Sequence, residues 1–180
     1  MIGTTFAVKT WALPFYAVGD SSNAEAVRKF VHDEYGKVVG AVAMAVGSRH
    51  LAEDSVQEAL VKVLRDNHNP DRMAAWVTVV AMNEARQVLR RRGAESRAVD
   101  RSLPSPPVDP FHEIELGGAL REAVSRLPER QRDAVLLHYY LDMSVAETAD
   151  ALGVDAGTIK THLHRARGAL AEVIGEEDPR

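Results

Sequence analysis

The sequence predicts an all-α chain of two small helical domains joined by an extended, proline-rich linker. Three observations carry that prediction. Hydrophobic residues make up 46% of the chain but aromatic residues only 6%, with Ala, Val and Leu abundant; that balance suits helical bundles better than a sheet sandwich. Apolar residues recur at helical spacing in both halves. Between the halves, Leu103 to Phe111 reads LPSPPVDPF and holds four of the eight prolines, and no helix or central strand passes through such a stretch.

Taken in order, residues 1–23 carry Phe6, Trp11, Phe15 and Tyr16 without a sustained period, and form an N-terminal extension with no assigned role. The first block, 24–97, holds three or four helices. Over 25–46, Val27, Phe30, Val31, Val38, Val39 and Val42 recur at helical spacing, and Gly47-Ser48 punctuates the chain. From Leu51 to about Arg65, Ala52, Val56, Ala59, Leu60 and Val63 form one stripe. Residues 66–71, DNHNPD, are turn chemistry throughout. A long helix then runs from Met73 to about Arg92. Residues 98–115 form the linker.

The second block, 116–174, holds four helices, with an acidic tail at 175–180. Leu116 to Leu127 ends at Pro128, and Glu129 to Tyr140 follows. Ser144-Val145-Ala146-Glu147 has the form of a capping box, opening a helix that runs to about Leu152. Gly153 supplies a sharp turn, and Asp155 caps a last helix running to about Ile174. Short helix, glycine turn and second helix make a helix-turn-helix.

Composition narrows the function. There is no cysteine, which excludes a disulfide scaffold, a thiolate nucleophile and Cys-based metal sites. No phosphate loop, Gly-x-Ser-x-Gly or His-Glu-x-x-His occurs, so no enzymatic role and no cofactor are expected. The apolar run Trp11–Val18 is broken by Pro14 and falls well short of the roughly 20 residues that span a bilayer; a cytoplasmic protein without membrane insertion is expected. With 22 Lys and Arg against 26 Asp and Glu, any binding to nucleic acid must use local basic patches.

Two such patches stand out. At about 100° per residue, Ile159, Leu163, Ala166 and Leu170 of the last helix fall on one buried stripe. The opposite side carries Gly157, Thr161, His164, Arg165 and Gly168, flanked by Lys160 and Arg167, and no acid occurs between Asp155 and Glu172. An acid-free positive face on the second helix of this motif suits major-groove docking; the plain alternative is a solvated basic face. His162 and His164 lie about 200° apart around the helix and cannot share a metal ion.

On the helix 73–92, Val77, Ala81, Ala85 and Val88 cluster on one side. Asn83, Arg86, Gln87 and Arg90 lie nearly opposite, with Trp76 and Val80 beside them. From 86 to 101 there are six arginines against Glu95 and Asp100. Arginines beside an amide and an indole suit melted or single-stranded DNA, whereas a cation-rich helix end is the plainer alternative. The helix 51–65 is opposite in sign. Asp54, Gln57 and Glu58 share an exposed face with Val61 at its centre, which suits a basic, apolar protein partner as well as an ordinary solvated face.

Together these residues resemble the extracytoplasmic-function (ECF) sigma factors, the smallest sigma-70-type specificity subunits of bacterial RNA polymerase, over roughly residues 25–174. Ala52-Glu53-Asp54-Ser55-Val56-Gln57-Glu58 is similar to the region 2.2 helix. Trp76 to Asn83, with Arg90-Arg91-Arg92, is similar to regions 2.3 and 2.4. Leu127 to Arg132 resembles the start of region 4, and Gly157 to Arg167 its −35 recognition helix. The resemblance implies that Asp54, Gln57, Glu58 and Val61 meet core polymerase at the β′ clamp helices, with the β subunit a further contact. It implies that Asn83 and the loop 66–72, including Asn67 and His68, hold a flipped −10 base, with Trp76 beside it and Arg86, Gln87 and Arg90 tracking the backbone. Thr158, Lys160, Thr161, His164, Arg165 and Arg167 would contact the −35 duplex. Promoter DNA and core polymerase are thus the implied partners, with an anti-sigma factor as a further one. Gln87 stands where the family usually has Asp, and His162 where it often has Arg, differences that bear on promoter sequence.

The linker has the reach this requires. Ala98 to Ile114 is 17 residues, and at about 3.3–3.6 Å each its upper span is roughly 56–61 Å, beyond one turn of DNA at about 34 Å. The competing expectation is a stand-alone helix-turn-helix regulator. Such proteins usually dimerise on palindromes, and this sequence has no obvious dimerisation element.

Overall fold

From Val38 to Ala45 the helix Tyr35–Val46 is apolar on every side, and all eight of those residues are buried. A helix of that kind has no face to give to water and must be covered all round. It sits at the centre of the molecule for that reason, and the rest of the fold is arranged about it.

The computed structural model describes residues 21–66, 70, 72–98 and 118–176, with side chains for these except 21, 22, 95–98 and 172–176. Nearly all of the expected N-terminal extension, most of the linker, Asn67, His68 and the end of the acidic tail lie outside the described residues. Among the described residues there are eight α-helices and one π-helical turn: α1 Ser21–Asp33, α2 Tyr35–Val46, α3 Arg49–Arg65, α4 Met73–Ala98, α5 Gly118–Arg126, α6 Glu129–Val135, the π turn Leu136–Tyr140, α7 Val145–Leu152 and α8 Ala156–Glu176.

Helices α1–α4 form the N-terminal unit. The stretch expected as one helical run over 25–46 is divided at Glu34, whose φ of −126° departs from helical values. The hydrogen bonds Glu34 N to Phe30 O and Val38 N to Glu34 O nearly bridge the break, so the chain bends without unravelling. Val31, placed by its spacing among the apolar positions, is exposed. Ser48 caps α3 by accepting from Leu51 N at 3.3 Å. The stripe Ala52, Val56, Ala59, Leu60, Val63 is buried and packs on α2 and α4. Asn23 of α1 donates to Val63 O at 2.9 Å, and Lys62 of α3 pairs with Glu84 of α4. Helix α4 runs about two turns beyond its expected end, through Ala98, carrying the arginine-rich segment with it.

Helices α5–α8 form the C-terminal unit. The expected helix Glu129–Tyr140 changes pitch at Leu136, and its last turn closes with the five-residue bond Leu141 N to Leu136 O. His138 Nδ1 lies 2.5 Å from Met143 O, which places the ring proton on that nitrogen. Asp142 follows in the left-handed region at φ 54°, where Asp is one of the few tolerated non-glycine residues. The capping box at Ser144 is present in both directions: Glu147 N donates to Ser144 Oγ at 3.2 Å and Ser144 N to Glu147 Oε2 at 2.7 Å.

The two units share one hydrophobic core, running from Val27 and Phe30 through α2 to Val124, Leu136, Ile159 and Leu170. Helix α2 touches α5, α6 and the π turn, and α4 touches α7. No helix among the described residues is long and apolar enough to cross a membrane.

Candidate nucleic-acid and partner interfaces

Gly153, left-handed at φ 65°, turns the chain between α7 and α8. Asp155 then caps α8 through its carboxylate, accepting from Thr158 N at 2.8 Å and from the Thr158 hydroxyl at 2.6 Å. These bonds hold the Asp155 carboxyl below the usual carboxylate range, the Thr158 hydroxyl contributing most. The cap also explains Gly157, where a Cβ would stand 2.9 Å from Asp155 Oδ1.

From that start α8 turns its two sides as its sequence requires. Ile159, Leu163, Ala166 and Leu170 are buried, while Gly157, Lys160, Thr161, His164, Arg165, Arg167 and Gly168 are exposed. Thr158 is half-buried and its hydroxyl is committed to the cap. The Thr161 hydroxyl donates to Gly157 O at 3.0 Å, leaving lone pairs outward. His162 is half-buried, with its Nδ1 enclosed and unpaired, so it faces away from the cationic surface bearing His164. Among the described residues no group of three or more His, Asp or Glu is placed to hold a metal ion.

On α4 the structure separates residues that the sequence grouped. Asn83, Gln87, Arg90, Arg91 and Arg92 are exposed and Trp76 is half-buried. The Arg86 side chain is only 11% exposed. Its Nη2 and Nη1 donate to the Asp133 carboxylate of α6 at 2.6 and 3.0 Å, and its Nε lies 3.5 Å from Glu129. Arg72, just before α4, pairs with Glu147 of α7. A cavity of about 350 Å³ opens beside it, lined by Lys29, Phe30, Glu34, Pro70, Arg72 and Met73.

On α3, Asp54, Gln57, Glu58 and Val61 lie on one exposed face, as their spacing predicts. Val61 is 49% exposed amid acids and amides. His50 Nδ1 lies 3.0 Å from Asp54, and Arg49 pairs with Glu53 at 2.9 Å on the flank.

Sequence reasoning missed a third set of residues. Lys37 pairs with Asp142 at 2.7 Å across the two units, and Arg132 donates to Ala45 O at the C-terminal end of α2 at 3.2 Å. Burial lowers the pKa of the Arg132 guanidinium.

Known proteins show the same organisation. Residues 30–95 match the family model for sigma-70 region 2, and residues 117–170 that for sigma-70 region 4. The RNA polymerase sigma-E factor of Streptomyces avermitilis is 35% identical over 131 residues, covering 71% of this chain and 73% of that protein. The ECF RNA polymerase sigma factor SigE of Mycolicibacterium smegmatis is 29% identical over 174 residues, 90% of this chain and 66% of that longer relative. Among solved structures, the sigma factor RpoE in complex with the anti-sigma factor NepR from Bartonella quintana shares the fold at a TM-score of 0.69 and 24% identity, covering 86% of this chain and 99% of that one. CnrH in complex with the cytosolic domain of CnrY shares it at 0.58 and 19%, covering 91% and 94%. With both regions present in order along its helices, the chain belongs to the sigma-70 family, among the ECF sigma factors of bacterial RNA polymerase.

Proposed function

We propose that the chain is a promoter-specificity subunit that binds core RNA polymerase in the cytoplasm, recognises −10 and −35 elements and promotes strand opening without catalysing a reaction itself. Residues 24–97 act as the region 2 domain, 98–115 as the linker and 116–174 as the region 4 domain. The observation that carries this most is the exposed face of α8, where Lys160, Thr161, His164, Arg165 and Arg167 stand together with the buried stripe behind them. A helix so presented by a helix-turn-helix can enter a major groove, its cations meeting −35 phosphates and its polar groups base edges.

Asn83, Gln87 and Arg90 serve the −10 element with the loop 66–72. The cavity beside Arg72 and Met73 lies next to that loop and suits capture of an unstacked base. Binding that base offsets about a few kcal/mol of unstacking and unpairing. Asp54, Gln57, Glu58 and Val61 dock on the β′ clamp helices. An anti-sigma factor is a further partner, supported by the likeness to sigma factors solved with their anti-sigma factors. A stand-alone regulator would use α7 and α8 and leave the region 2 match over 30–95 without a task.

Run-off transcription by core polymerase on a genomic promoter library, with and without the chain, tests the proposal. The chain should redirect initiation to a distinct promoter set, with Asn83→Ala impairing use of the −10 element and Arg165→Ala that of the −35 element. Unchanged start sites, or both variants equal to the parent on every template, would refute it.

A further inference from the structure

The sequence has no cysteine, so the oxidation chemistry of its sulfur falls wholly on five methionines. Four of these lie among the described residues, and the fold places them unequally. Met44, Met82 and Met143 are sealed in the interior at 2%, 1% and 3% exposure. Met73 is half-buried and lines the open cavity of about 350 Å³ together with Lys29, Phe30, Glu34, Pro70 and Arg72. It is the first residue of α4. A long side chain on a helix lies over the turn that precedes its own Cα, so Met73 reaches back over the segment that leads into α4.

A small oxidant that enters the cavity therefore meets one thioether, and the three core thioethers offer it no approach. Attack of the Met73 sulfur lone pair on hydrogen peroxide forms an S–O bond and breaks the O–O bond. The sulfur loses two electrons, the peroxide gains them, and the proton of the transferred hydroxyl joins the departing hydroxide as water. The product is a sulfoxide, in which a flexible apolar side chain has become a polar one. Its oxygen is a hydrogen-bond acceptor, and the Lys29 ammonium and Arg72 guanidinium that line the same cavity are donors.

We propose that Met73 is a site of oxidation by peroxide, and that its sulfoxide disables the cavity for capture of the −10 base. The buried methionines keep the fold intact at a dose that modifies Met73, and a sulfoxide is reversible by methionine sulfoxide reductases. The inference rests on the proposed −10 role of that cavity.

The test treats the folded chain with hydrogen peroxide, removes the excess with catalase, and maps the methionines by peptide mass spectrometry. Met73 should gain one oxygen well before Met44, Met82 and Met143, with the far-ultraviolet circular dichroism unchanged. On a template from which the parent directs initiation, the Met73 sulfoxide form should give about tenfold less run-off product, the scale of losing one apolar side-chain contact from a binding site. Methionine sulfoxide reductases A and B together should restore it. Met73→Leu, whatever its own untreated output, should keep that output after the same dose, which separates Met73 from Met1 and from every other oxidisable group. Four results overturn the inference alone: a core methionine oxidised as early as Met73, a sulfoxide form as active as the untreated chain, output that the reductases fail to restore, or loss of output by treated Met73→Leu. A parent chain that directs no initiation overturns the promoter role, and with it the consequence assigned to the sulfoxide.

Discussion

Arg86 and Asp133, 47 residues apart, make a two-pronged pair at 2.6 and 3.0 Å in which both side chains are withdrawn from water. One comes from the arginine-rich helix α4 and the other from the first helix after Pro128. A planar guanidinium matched to both oxygens of a carboxylate fixes orientation as well as distance. This pair sets how the two units of the chain meet.

Removing one partner leaves the other charge buried and uncompensated. Asp133→Ala should lower unfolding stability by about 3 kcal/mol, and the Asp133→Ala/Arg86→Met double variant should recover part of that loss. Urea unfolding midpoints of the four chains give the coupling directly. Additive effects would mean that the pair contributes orientation without energy.

Glu147 gives an acid-side signature. Hydrogen bonds from the Ser144 backbone and hydroxyl, and then the Arg72 pair, hold its carboxyl down at about 2, against an ordinary value of 4.5. Because the folded value is depressed, its stabilisation is complete above about 4.5 and is lost as pH falls toward about 2. Glu147→Gln should flatten the pH dependence of the unfolding midpoint in that window while lowering stability at pH 7. A parallel curve for the two chains would contradict the assignment.

The turn of the helix-turn-helix depends on Gly153, whose φ of 65° costs a side-chain-bearing residue about 1–2 kcal/mol. Gly153→Ala should lower the thermal midpoint accordingly, and Gly153→Asn by less, since Asn tolerates the left-handed region. Equal losses for both would point to a role other than backbone conformation.

Val61 is exposed on α3 and adds little to the core, so Val61→Glu should leave stability within about 0.5 kcal/mol of the parent. The same variant should lose affinity for core polymerase, read by competition with a labelled parent chain. Retained affinity would remove α3's outer face from the docking surface.

On α8, Lys160 and Arg165 should separate by salt and sequence. If Lys160 meets a phosphate, Lys160→Ala weakens binding to every template alike and reduces the salt slope by about 1. If Arg165 reads a base, Arg165→Ala relaxes the preference at one position of the −35 element at a cost of about 1–3 kcal/mol. Identical behaviour of the two variants across templates would refute the distinction.

Much of the fold is legible in the sequence because local rules and tertiary packing agree there. The stripe Ile159, Leu163, Ala166, Leu170, the Ser144–Glu147 capping box, the Gly153 turn and the Asp155 cap follow from spacing and side-chain chemistry alone. The exposed faces of α3 and α8 follow for the same reason, being the complements of buried stripes. The seam between the units was less accessible. Arg86 sits at a polar position of α4, and periodicity cannot distinguish a cation facing water from one facing Asp133. One signal did exist: the run from Val38 to Val46 is apolar on every side of α2, which requires a second covering surface beyond α3 and α4. The π turn at Leu136–Tyr140 left no such mark, because LLHYY is as consistent with an ordinary helix end.

Permanganate reactivity of thymines in the −10 element, with core polymerase held on a promoter in the presence and absence of the chain, reports strand opening itself. A chain that reads promoters through α4 and α8 should make those thymines reactive only when it is present, and Asn83→Ala should suppress the signal. Thymines that stay protected with the chain bound, or react equally without it, would contradict the role assigned here to its two helical units.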